Sequence, residues 1–100
     1  MSQSKELFAL YSLRLGSRLD FDVDCRPWLS GAATIAGFEI ETTGHPLTFE
    51  APTILSGGKD VKFYAEAPLA DSALGYYRIG VFVTDSEGRS DRQWFQMTVE

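Results

Sequence analysis

A chain of 100 residues, 44% hydrophobic and 23% charged, has the make-up of one folded domain, which excludes two full domains and argues against intrinsic disorder. Nine basic residues against 14 acidic ones leave a formal net charge of −5. That balance argues against nucleic acid as the main partner, because phosphate contacts need clustered lysine and arginine.

Residues 1–9 read as an N-terminal arm ahead of a single domain at 10–100. Met1 to Glu6 lack the long apolar run and small-residue cleavage site of a signal peptide, so synthesis in a cytosol is expected. No run approaches the ~20 apolar residues that span a bilayer, and no membrane partner is expected. Leu7, Phe8 and Tyr11 suit a short helix face, whereas Tyr11, Leu13 and Leu15 suit a strand; a strand from about residue 10 fits better. With Gly16-Ser17-Arg18 as a three-residue loop, this strand would fold back on the next. Leu15 would then face Leu19, Leu13 would face Phe21, Tyr11 would face Val23, and Arg14 would face Asp20. The segment from Leu7 to Leu15 is apolar with little polar cover. It is expected to carry an unpaired, association-prone edge that pairs with a neighbour.

Period-two alternation then recurs along the chain, the mark of strands with one buried face. Phe21, Val23 and Cys25 alternate with Asp20, Asp22 and Asp24. Phe38 and Ile40 alternate with Glu39 and Glu41, and Leu47, Phe49 and Ala51 with Thr48 and Glu50. Val61, Phe63 and Ala65 form another run, Tyr77, Ile79, Val81 and Val83 a longer one, and Phe95, Met97 and Val99 the last. Turn signals at Gly44-His45-Pro46, Ser56-Gly57-Gly58 and Asp85-Ser86-Glu87-Gly88 separate them. The pattern predicts an all-β fold, an immunoglobulin-like β-sandwich of about seven antiparallel strands.

The last hairpin can be given a register. A loop over residues 85–89 places Thr84 opposite Ser90, Ile79 opposite Phe95 and Tyr77 opposite Met97, with every apolar residue on one face. A loop one residue shorter would oppose apolar to polar residues along the whole ladder. On the outer face the same register sets Gly80 opposite Trp94, Phe82 opposite Arg92, Arg78 opposite Gln96 and Tyr76 opposite Thr98. Trp94 could cover the bare backbone of Gly80. Trp94, Phe82 and Tyr76 could equally form a protein-binding patch, since aromatics and arginine are favoured at interface centres.

Other candidates have plainer readings. Asp20, Asp22 and Asp24 lie ~7 Å apart along a strand, too far to share one cation, and read as a solvated face. Cys25 falls in the apolar phase of its strand and reads as a small buried hydrophobe rather than a nucleophile paired with His45. Ser56-Gly57-Gly58-Lys59 lacks the spacing of a phosphate-binding loop. Trp28 reads as a cap on one end of the core. A single cysteine forms no internal disulfide, so packing must hold the fold.

Two segments carry a family resemblance. One is Asp24-Cys25-Arg26-Pro27-Trp28-Leu29 with Gly31 and Thr34-Ile35; the other is Gly75-Tyr76-Tyr77 with Val83-Thr84-Asp85-Ser86-Glu87-Gly88-Arg89-Ser90-Asp91. Over roughly residues 19–100 the chain resembles small β-sandwich structural proteins of tailed bacteriophages, of the fibre-to-tail adaptor or virion decoration type. Those proteins carry Asp-Trp-x-x-Trp-Leu, then Thr-Ile, and a closing Thr-x-x-x-Gly-Arg hairpin; the first Trp is Cys25 here. The resemblance implies no enzyme activity and no cofactor. It implies a protein made in the bacterial host cytoplasm and residing in the virion, as a homo-oligomer or part of a larger assembly with other virion structural proteins. Leu7, Phe8, Tyr11, Leu13, Tyr76, Phe82 and Trp94 are the candidate contact residues. A carbohydrate-binding module, with sugar rings stacked on the exposed aromatic face, is the alternative.

Overall fold

The computed structural model describes residues 10–100. Among these residues eight strands follow in order: β1 (Leu10–Leu13), β2 (Arg18–Asp24), β3 (Ile35–Ile40), β4 (Thr48–Phe49), β5 (Thr53–Ile54), β6 (Asp60–Glu66), β7 (Gly75–Asp85) and β8 (Ser90–Val99). A 3₁₀ turn, Asp71–Ala73, precedes β7. The strands form two sheets, an all-β sandwich. One sheet runs β1-β8-β7-β3; in the other, β6 pairs with β2 along one edge and with β4 and β5 along the other.

The alternating residues explain the two layers. Val23, Val61, Phe63 and Ala65 point inward from one sheet, and Leu13, Ile79, Val81, Val83, Phe95, Met97 and Val99 from the other; all are buried. Phe63 lies at the centre, with ring centroids 5.2 Å from Phe95, 5.7 Å from Phe21 and Phe49, and 6.1 Å from Tyr11. The β7–β8 register is the expected one, Ile79 opposite Phe95, Tyr77 opposite Met97 and Thr84 opposite Ser90. Asp85 closes its five-residue loop. Its backbone N–H donates to Arg89 O at 2.9 Å, and its Oδ1 accepts the N–H groups of Glu87 and Arg89, each at 2.9 Å.

The N-terminal strand departs from expectation. β1 does not fold back on β2; it lies parallel to β8, with Tyr11 beside Met97 and Leu13 beside Val99. Gly16, at φ +75°, turns the chain across to the other sheet, where its N–H donates to Ala67 O at 3.1 Å. A parallel partner satisfies the same inward phase of Tyr11 and Leu13, so the side-chain pattern could not choose between the two pairings. From Leu10 onward one edge of this strand is paired with β8, and β1 is the outer strand of its sheet. Leu13 is 1% exposed and belongs to the core, not to a docking surface. Removing residues 1–15 would unpair β8 and empty the core position of Leu13, so such a deletion is expected to destabilise the fold.

The run 47–51 is also shorter than its pattern suggests. The strand itself is Thr48–Phe49, Glu50 N–H still donates to Tyr64 O at 3.1 Å, and Pro52 has no N–H to give; Ala51 is exposed, while Leu47 is buried.

The stretch after β2 and the closing hairpin, both part of the family resemblance, meet at one end of the sandwich, whereas Gly75-Tyr76-Tyr77 lies at the other end of β7. Trp28 is buried, and the Arg89 guanidinium lies 4.6 Å from its ring centroid while donating to Trp28 O at 2.8 Å. Arg89 Nε also donates to Asp85 Oδ2 at 2.7 Å. Thr34 N–H donates to Ser86 Oγ at 3.0 Å, and Ser86 N–H donates to Thr34 O at 2.8 Å. These residues fasten the loop after β2 to the closing hairpin.

Candidate protein-binding face

The two outer faces differ in chemistry. On the β2-β6 sheet the polar phase is charged and internally paired. Lys62 meets Asp20 at 3.1 Å, and Arg26 meets Asp24 at 3.0 Å and Asp60 at 3.1 Å. Arg18 pairs with Glu50 and lies 4.4 Å from the Tyr64 ring centroid. Among the described residues, no group of three or more His, Cys, Asp or Glu side chains is placed to hold a metal ion. Cys25 is fully buried, and burial, with smaller effects from Asp24 and Asp60, pushes its thiol up to about 12, which suppresses the thiolate. Both ring nitrogens of His45 are engaged by backbone: Nε2 lies 2.8 Å from Glu41 O, and Nδ1 accepts the Leu47 N–H at 3.2 Å.

The outer face of the β1-β8-β7-β3 sheet is aromatic and arginine-rich. The hairpin register sets Trp94 across from Gly80, Phe82 across from Arg92 and Tyr76 across from Thr98. Arg78 and Arg92 flank Trp94, each guanidinium carbon 4.4 Å from its ring centroid. Arg92 also pairs with Glu41. The space above Gly80 belongs to Glu41 rather than to Trp94: a Cβ on Gly80 would stand 2.6 Å from the Glu41 carboxylate. A side chain at position 80 would push this carboxylate, the far end of a flexible side chain, off the strand backbone. The sequence reading missed Glu41; its only signals were the polar phase of β3 and a glycine inside a strand.

Around this clamped centre the apolar side chains are open. Tyr76 is 78% exposed, Leu10 65% and Phe82 54%. The structure thus brings Tyr76, Phe82 and Trp94 onto one face as predicted and adds Leu10 through β1, where Leu10 lies beside Gln96. Tyr11 is not on this face. It is half-buried in the core, its hydroxyl donates to Asp22 O at 2.8 Å, and burial raises its pKa to about 12, helped by the Cys25 and Asp22 charges. Leu7 and Phe8 lie outside the described residues. Among the described residues, no helix is long and apolar enough to cross a membrane.

In sequence comparisons, no protein-family model and no curated protein matches the chain.

Proposed function

We propose that this chain is a non-enzymatic structural protein of a tailed-bacteriophage virion, an adaptor or decoration protein that works through protein–protein contacts. The observation that carries this reading is the outer face centred on Trp94. Exposed Tyr76, Phe82 and Leu10 surround an aromatic ring held between two guanidinium groups, the composition favoured at interface centres. The phage assignment itself rests on the two resembling segments. Apart from Gly75-Tyr76-Tyr77, these segments meet at one end of the fold, so they speak first for the sandwich and only through it for the function.

The sandwich is immunoglobulin-like on this reading. What supports this is that β2-β6-β4 form one sheet and β3-β7-β8 lie in the other, as in the division of that fold, although the first strand lies beside the last one instead of in the opposite sheet. Carbohydrate binding is less well supported. Arg78 and Arg92 flank Trp94 from either side along the strands, where a stacked sugar ring would have to sit.

The test is incorporation. Particles assembled from a genome encoding this chain should contain it by mass spectrometry. The double variant Tyr76→Asp, Phe82→Asp should lose incorporation by at least ~10-fold at nearly unchanged melting temperature, since both side chains are exposed. Purified particles without the chain would refute the proposal. Strong glycan-array binding that Trp94→Ala abolishes would favour the alternative.

A further inference from the structure

The strand registers lay the aromatic outer face out in rows. Glu39, Phe82 and Arg92 stand side by side on β3, β7 and β8. The next row is Gly80 and Trp94, joined by Glu41, whose N–H donates to Gly80 O at 2.9 Å. The row after that is Arg78, Gln96 and Leu10, on β7, β8 and β1. Outward side chains recur every second residue, so successive rows lie ~7 Å apart.

The charges of these rows balance. The chain as a whole carries −5, yet Arg78 and Arg92 stand here against Glu39 and Glu41. Arg92 pairs with Glu41. Arg78 lies against the Trp94 ring, and Glu39 is exposed; neither has an ion-pair partner among the described residues. These two groups stand one row to either side of Trp94, about 13 Å apart along the strands, and do not meet within one molecule.

We infer that a second copy of the chain covers this face, packed sheet to sheet about a two-fold axis that runs across the strands along the Gly80–Trp94 row. The inference rests on the reading of a protein that works by protein–protein contacts and names the partner of its aromatic face. Such an axis exchanges the rows on either side of it. Phe82 and Glu39 of one copy come over Arg78 of the other, and Tyr76 comes over Thr84. The contacts repeat beyond the axis, so each unpaired carboxylate meets an unpaired guanidinium twice per dimer. Glu41 meets its own counterpart at the axis, each already neutralised by its Arg92. The opposite outer face carries Asp20, Asp22 and Asp24 along one strand, so two such faces would repel. Size fits as well. β8 is 10 residues long, and four strands side by side make a face of roughly 33 by 19 Å, of the order of the ~800 Å² per partner in a standard interface.

Sedimentation of the full chain tests the contact. Wild type should dimerise. Glu39→Arg and Arg78→Glu each set like charges together at both repeats of the contact, and each should weaken dimerisation at least ~10-fold. Both side chains are exposed, so melting temperatures should stay near that of wild type. Mixed in equal amounts, the two variants should pair to within about threefold of wild type, because each then offers the charge the other lacks. A wild-type chain that stays monomeric would overturn the inference, as would a mixture that associates no better than its components. If the Tyr76→Asp, Phe82→Asp variant still fails to enter particles in those cases, the assembly reading stands with a different protein on this face. Rescue in the mixture, with purified particles that lack the chain, would uphold the second copy and refute the virion reading.

Discussion

Phe63→Ala is the sharpest probe of how this sandwich is held together. Phe63 is 1% exposed, and four other rings lie with centroids between 5.2 and 6.1 Å of its own. Those rings belong to β1, β2, β4 and β8, so both sheets would have to shift together to fill the space left behind. Emptying a buried phenylalanine site costs ~3–5 kcal/mol, and a site that cannot collapse belongs at the upper end. A domain of this size has ~5–15 kcal/mol of stability in all, so the variant should lie near the edge of unfolding, with Tm lower by roughly 15–30 °C. Urea titration followed by tryptophan fluorescence measures the loss, and an unchanged m-value shows that the unfolded reference is the same. Phe63→Leu keeps most of the volume and should cost less than half as much. A cost below about 1 kcal/mol for Phe63→Ala at unchanged m would refute the view that one ring cluster ties the two sheets.

Tyr11→Phe removes a hydroxyl that bridges β1 of one sheet to β2 of the other, and should cost ~0.5–1.5 kcal/mol in the same assay. Cys25 should resist thiol reagents in the native state and react fully in denaturant; rapid native labelling would contradict its burial. The Arg89 side-chain hydrogen bond, with the loop N–H groups, holds the Asp85 carboxyl below the ordinary aspartate range. The unfolded chain therefore takes up this proton first on acidification. The stabilisation is complete above about pH 4 and is lost as pH falls from there through the folded-state pKa. Urea titrations at several pH values should show Asp85→Asn less stable at neutral pH and with a shallower acid slope than wild type.

The amino-acid sequence determined what depends on neighbours along the chain. A strand buries every second residue, so the runs at 77–83 and 95–99 allowed one register for the last hairpin, and with it the placing of Trp94 across from Gly80. The same rule placed Cys25 inside, and a large aromatic in the turn after β2 marked Trp28 as the end of the core. Only the tertiary structure decided which strand each edge would meet. Tyr11 and Leu13 point inward whether β1 lies antiparallel to β2 or parallel to β8, because the side-chain pattern records a face and not a partner. The same holds for Glu41 lying over Gly80. That contact is made by elements distant in sequence, through backbone edges and packing that no local periodicity encodes.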